Sequence, residues 1–362
     1  PVLRRAHEAE REGPVGRPEM ALPVGGASAT HSNDVAAREL AAFVGWLLSR
    51  GTQADMPGRG RTFRRRAALF WPIWPMPEVV DEVFRVVYVD GIWIARDCVA
   101  LIACSDEHVL SWHLARAETT AAWRSLLSRI APPDMVVTDG GSGFAAEWPR
   151  TRVQRCVFHA FCQVKRHTTS RPKLQAGVEL YALARELLHV ETLQQADWWV
   201  ERFMQWCEFW SDFLEQKSLV EGRMAYTHRR LREARSGLVR LVNAGTLFTY
   251  LDPAPCAEGP MPATNNRIEG GVNSQLREVL RSHRGLTKLK RVKAVFWWCY
   301  LHVECPKTMA DTLREMPTDA DVDLLRERYG MRAEDASRPE KWGEGLVWEE
   351  LHHKTRYPFR IE

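Results

Sequence analysis

The stretch FRVVYVDG at residues 84–91 decides how the rest of the chain is read. Phe84, Val86, Val87, Tyr88 and Val89 are β-branched or aromatic, the composition of a buried strand, and the run stops on Asp90 before Gly91. A carboxylate is costly to bury alone, but natural at the C-terminal edge of a sheet that binds a cation. MVVTD at residues 135–139 repeats the pattern and runs into GGSGF. Asp-Gly is ordinary turn chemistry, so each aspartate alone reads better as a turn former. The pair means more than either member when their strands are neighbours.

Outward from these two runs, residues 97–104 and 108–114 follow the first strand at hairpin spacing. Residues 119–130 are helical, with Trp123, Leu126, Leu127 and Ile130 on one side and Pro132 and Pro133 as the stop. Residues 153–157 read as another strand, which enters a helix near His159. This order predicts an α/β chain with an RNase H-like sheet, its first and fourth strands side by side at the centre. Asp90 and Asp139 would then lie a few ångströms apart and repel one another unless a divalent metal neutralised them.

The third acid is expected from a helix packed on that edge. In TNNRIEGGVNSQLREVLRSHRGL, residues 264–286, Thr264 or Asn265 caps a helix whose buried stripe is Ile268, Val272, Leu276 and Val279. Glu269 flanks the stripe. Gly270 and Gly271 each cost roughly 1 kcal/mol in a helix. Their presence beside an acid suggests close approach of something, such as nucleic-acid backbone. Glu278 is the alternative acid, and is expected instead to pair with a neighbouring arginine.

Residues 1–36 are rich in Gly, Pro, Ala and Arg without periodicity and read as a flexible or vestigial leader. Residues 37–80 begin with a helix capped at Asp34, its apolar face formed by Leu40, Phe43, Val44, Leu47 and Leu48. Six arginines follow in seventeen residues, Arg50, Arg59, Arg61, Arg64, Arg65 and Arg66, opposed only by Asp55. A helix, a break and an Arg-rich second helix fit a helix-turn-helix-like DNA-binding segment, and equally a solvated basic face. The catalytic core is expected over 81–171 and 263–304, interrupted by an all-helical insertion at 172–262 and followed by a C-terminal tail at 305–362. In the insertion Trp199, Phe203, Trp206, Trp210 and Phe213 recur at helical spacing, which favours core packing. Trp206 and Trp210 are the candidates for stacking on a flipped base.

Fifty basic and 46 acidic residues leave a net charge of +4, but the balance is uneven. Residues 305–362 carry −3 and residues 1–304 carry +7. Forty-one of the basic residues are arginine, whose fork binds phosphate oxygens bidentately. Residues 277–293 hold Arg277, Arg281, Arg284, Lys288, Lys290, Arg291 and Lys293, with Glu278 the sole acid. The insertion adds Arg223, Arg229, Arg230, Arg232 and Arg235. Such stretches beside a metal site suit DNA backbone. The eight cysteines form no CxxC pair and fit reduced thiols. No run of eighteen apolar residues offers a membrane span.

VYVDG, VVTDGGSGF, QRCVFH and TNNRIEGGVNSQLR, in this order, resemble the DDE transposases of the Mutator-like superfamily and their bacterial insertion-sequence relatives. The resemblance spans roughly residues 38–304. It implies an RNase H-like catalytic domain, two Mg²⁺ ions (Mn²⁺ as a possible substitute) and the triad Asp90, Asp139 and Glu269. It implies cleavage and strand transfer at an element's terminal inverted repeats, target DNA as the second substrate, and a homodimer on DNA in a bacterial cytoplasm, at the nucleoid. It also marks Cys156 and His159, the family's Cys-x-x-His, as neighbours of the active site. Zinc binding by Cys156, His159, Cys162 and His167 is the competing reading, though one helix is a poor source of four tetrahedral ligands. Related enzymes often carry an N-terminal cysteine zinc ribbon, whereas residues 1–37 hold no cysteine; a truncated or decayed start is expected. The alternatives to a transposase are an RNase H-like metal-dependent nuclease and a non-catalytic DNA-binding remnant.

Overall fold

The computed structural model describes residues 26–140 and 143–329. Its centre is a five-stranded mixed sheet of order β3-β2-β1-β4-β5. The strands are β1 (Val86–Ala95), β2 (Cys98–Cys104), β3 (Val109–Ala115), β4 (Met135–Thr138) and β5 (Arg152–Arg155). The first three form an antiparallel meander, and β4 and β5 run parallel to β1. The first and fourth strands are therefore neighbours, in register from Val86 opposite Met135 to Val89 opposite Thr138.

Alternation along β1 feeds two cores. Val86, Tyr88 and Ile92 face one, and Val87 and Val89 the other. The second core is closed by α3 (Thr120–Leu127) and α4 (Phe144–Glu147), through Trp123, Leu126, Leu127 and Phe144. Thr119 caps α3 by accepting a hydrogen bond from the Ala122 amide at 3.1 Å. The first core is larger and is covered by α5 (Val157–Thr168), α11 (Ser274–Ser282) and α12 (Lys288–Leu301). Every residue of α12 from Val292 to Tyr300 is buried.

The helices α1 (Gly26–Leu47) and α2 (Arg61–Ala67) pack into this same core through Leu40, Phe43, Trp46 and Phe63. Helix α1 begins eight residues before the expected cap at Asp34 and takes in residues 26–36 of the expected leader. The rest of that leader lies outside the described residues. The C-terminal tail is likewise structured over α13 (Met309–Glu315) and α14 (Asp319–Tyr329), while residues 330–362 lie outside the described residues.

Between α5 and Glu269 the chain forms α6 (Gln175–Glu186), α7 (Leu193–Phe209), α8 (Ser211–Glu215), α9 (Arg229–Asn243) and the short α10 (Pro253–Cys256). Trp199, Phe203 and Trp206 are buried, and the Trp199 indole donates to the Leu183 carbonyl at 2.8 Å. The aromatic stripe on α7 is thus core. The block is not all helical. A hairpin, β6 (Lys217–Val220) and β7 (Arg223–Tyr226), turns through Glu221 and Gly222, both at positive φ. Its strands are short and largely exposed, so they lack the buried alternation that would announce them in sequence. Among the described residues no helix is long and apolar enough to cross a membrane.

Candidate functional site

Asp90 is not the last residue of its strand, as its Gly neighbour suggested. β1 continues to Ala95 because its antiparallel partner β2 continues with it. What ends at Asp90 is the other side: β4 pairs no further than Thr138, so Asp90 projects where the sheet opens. The vacated carbonyl of Val89 accepts a hydrogen bond from Asn265 Nδ2 at 3.0 Å, and that of Thr138 one from the Cys156 amide at 2.9 Å. These two bonds bring the start of α5 and the Glu269 segment onto the edge.

Asp90 is 93 % buried by its 7 % exposure, and its Oδ2 accepts from Asn273 Nδ2 at 2.6 Å. Its carboxyl is pushed up to about 7, first by burial and then by the charges of Asp139, Glu269 and Glu118. Uncompensated negative charge is what a cation would relieve, so the donor set fits a divalent metal of the hard, oxygen-seeking kind. Asp139 follows β4, and Arg155 at the end of β5 donates its guanidinium to the Asp139 backbone carbonyl.

The Glu269 segment is a π-helix, Arg267–Asn273, continuing into α11, where sequence pattern predicts plain α-helix. The wider turn sets Glu269 and Asn273 toward the same edge; π-turns of this kind are frequent at functional sites. Gly270 has a local reason to be glycine, since a Cβ there would come within 2.8 Å of Asn266 Oδ1.

Asp139, His159 and Glu269 each offer a ligand atom within 4.8 Å of the others, and His159 Nε2 lies 2.9 Å from Glu269 Oε1. The Cys156 thiol and then Glu269 hold the His159 imidazole up at about 10. Cys156 is the N-cap of α5, buried, and its Sγ accepts from the Asn265 amide at 3.2 Å. Cys162 and His167 do not join this cluster, and His167 Nδ1 lies instead 3.4 Å from Glu233. The competing set of four zinc ligands on α5 is not assembled.

Two acidic-edge residues escaped sequence reading. Asn273 looks like one more polar residue in a helix, and Glu118 lies in the loop before α3. The Glu118 carboxylate accepts from Trp93 Nε1 at 3.0 Å and is raised by burial and then by Asp139. A Cβ at Gly91 would come within 2.8 Å of Glu118 Oε1, so the glycine after Asp90 admits this fourth acid. Arg155, Gln163, Arg166 and His159 line an open cleft of about 500 Å³ that reaches Asp139.

The basic residues divide by surroundings. Arg64, Arg65 and Arg66 are exposed on α2, with Arg66 paired to Glu39 at 3.0 Å. Arg229 and Arg230 are exposed at the start of α9, paired to Glu233 and to the Arg166 carbonyl respectively. Arg277, Arg281 and Arg284 are exposed on and after α11, and Arg281 and Arg50 share Glu278. Lys288 pairs with Asp97 at 2.9 Å, Lys290 lies over the Trp71 ring, and Arg291 is half-buried.

Lys293 departs from its expected place on a DNA-facing surface. It is fully buried, donating to the Trp71 carbonyl at 2.6 Å and to Asp319 at 2.7 Å. The C-terminal tail, not DNA, supplies its counter-charge. Trp206 is buried and unavailable for stacking on a base; Trp210 is half-buried and donates to Glu179 at 2.8 Å. No protein-family model and no curated protein matches the chain.

Proposed function

We propose that the protein is a DDE transposase with an RNase H-like catalytic domain, cutting the ends of a mobile element and joining them to target DNA. One observation carries the reading. Three acids 49 and then 130 residues apart, at positions 90, 139 and 269, converge on one sheet edge and act on each other's charge. The strand order β3-β2-β1-β4-β5, with the meander antiparallel and the last two strands parallel to the first, supports the RNase H-like part.

When bound, divalent ions at this edge would activate the attacking oxygen and stabilise the leaving oxygen of an in-line displacement. Asp90, fixed by Asn273, would hold the ions together with Asp139 and Glu269. Arg155 and Arg166 in the adjoining cleft would hold phosphate oxygens, and the exposed arginines of α2, α9 and α11 would track the duplex. Water used as attacking oxygen frees a 3′-hydroxyl, and that hydroxyl used in its turn joins the end to target. One site serves both steps without a covalent protein–DNA bond.

The experiment is to incubate the full chain with Mg²⁺, labelled element ends and a supercoiled target. Joined products are expected. Nicks without joining would instead make the protein a nuclease, and retardation alone a DNA-binding remnant. Asp90→Ala, Asp139→Ala and Glu269→Ala should each abolish joining; retention in all three would refute the triad.

A further inference from the structure

The three-acid reading leaves one close neighbour without a role. His159 stands in the ring of ligand atoms with Asp139 and Glu269, its Nε2 at 2.9 Å from the Glu269 carboxylate. Asp90 is engaged differently, with Oδ2 on Asn273 and Oδ1 on the Gly91 amide at 2.8 Å. The tightest set of donors at this edge is therefore one nitrogen and two carboxylates, not three carboxylates.

The imidazole is built into position rather than drifting over a surface. It belongs to the first turn of α5, whose N-cap Cys156 is tied to Thr138 through its amide and to Asn265 through its sulfur. Those two partners flank Asp139 on β4 and Glu269 on the π-turn. The same bonds that bring the acids together thus set the histidine between them. Nδ1 of His159 is buried on the Cys156 side, and Nε2 is the ring nitrogen turned to the carboxylates, 2.9 Å from Glu269 Oε1. The cleft on the Asp139 side gives an ion room to enter and to keep water ligands.

We propose that His159 Nε2 is a metal ligand beside Asp139 and Glu269, so that this position takes a first-row divalent ion of the Mn²⁺ class in preference to Mg²⁺. This rests on reading the converged acids as a metal centre. Imidazole suits first-row transition ions, whereas Mg²⁺ seeks oxygen and gives up its water reluctantly. A plain ion pair between His159 and Glu269 would satisfy those two groups, but gives no reason for the Asp139 carboxylate to close the same ring of ligand atoms.

The test uses Mn²⁺ itself as probe, with the full chain and no DNA. Pulsed electron paramagnetic resonance of the Mn²⁺-loaded protein should show modulation from a directly bound ¹⁴N nucleus. Labelling histidine with ¹⁵N should convert that signal, which settles the ligand type without any substitution. His159→Gln should remove the nitrogen signal and weaken Mn²⁺ binding by at least about tenfold, the low end of what losing even an outer partner costs. Mg²⁺ binding should change less. A wild-type spectrum without nitrogen modulation overturns the inference, as does a folded His159→Gln protein that keeps both signal and affinity. The underlying reading fails separately: Asp90→Ala and Glu269→Ala proteins that bind Mn²⁺ like wild type would remove the metal centre itself. Loss of binding in those two with His159→Gln unchanged would overturn the histidine ligand alone.

Discussion

Asn273 donates its side-chain amide to Asp90 at 2.6 Å across 183 residues of sequence, and both residues are buried. The bond fixes the carboxylate's direction. It also couples the π-turn to the centre of the sheet, so the geometry of the acids depends on a residue that is not an acid.

Asn273→Ala should destabilise the metal-free protein by about 1.5–3 kcal/mol at pH 8, the range for a hydrogen bond to a charged group. At pH 5 the loss should be smaller, because Asp90 is then largely neutral. Urea unfolding in the presence of a chelator at the two pH values measures the difference. Equal losses would show that the amide does not serve the charge.

Asp90→Asn should abolish DNA cleavage and yet stabilise the metal-free fold. The folded carboxyl titrates near 7, above its ordinary 3.8. The favourable contribution of the neutral form is therefore full below pH 3.8 and is lost as pH rises through 7. The amide escapes that loss but keeps one acceptor for the two donors, Asn273 and the Gly91 amide, so the expected gain is about 1–3 kcal/mol at pH 8 relative to wild type, with no gain at pH 4. A melting series in chelator across this range decides it, and a pH-independent difference would contradict it.

Lys293 provides the opposite sign. Burial lowers its ammonium to about 8 despite Asp319. Stability should therefore rise with pH between about 8 and 10.5, the window in which the unfolded chain binds the extra proton. Lys293→Met should flatten that rise, at little net cost at neutral pH, since buried ion pairs are often replaceable by apolar side chains of similar volume. Unfolding free energies at pH 7, 9 and 10.5 for both proteins test it.

On DNA the basic residues should separate in the same way. Arg277→Ala and Arg284→Ala should each weaken binding to unrelated sequences alike and reduce the log–log salt slope by about 1. Lys293→Met should leave the slope unchanged because that ammonium never reaches solvent. Titrations at several salt concentrations give all three slopes. A reduced slope for the lysine variant would overturn its assignment to the core.

In the helical block, Trp199→Ala should cost about 3–5 kcal/mol as a large buried side chain. Trp198→Ala should cost no more than about 1 kcal/mol, the worth of an exposed stack with Arg202. Chemical denaturation of the two variants separates core from surface on adjacent positions.

The elements were legible because their signals are local. Alternating or continuous β-branched runs over 84–90 and 135–138, and apolar steps of three and four in 119–130 and 193–213, record solvent on one side and protein on the other. The three acids were legible only as a set: either aspartate alone reads as a turn former, and it is two buried runs ending on an acid, with a third acid flanking a helical stripe, that marks them. The hairpin in the insertion was not, because its exposed strands bury nothing and leave no periodicity.

By itself the sequence determined an α/β chain with the five strands of the central sheet and the helices between them in this order, and it marked Asp90, Asp139 and Glu269 as residues set apart. Only the tertiary structure decided what those residues touch. His159 meets Glu269, Asn273 holds Asp90, Glu118 leans over Gly91, and Lys293 turns inward to Asp319. A lysine in a basic run has the same local pattern whether it faces phosphate or a buried carboxylate. The difference lies in which distant segment packs above it, and that follows from how the whole chain closes its core.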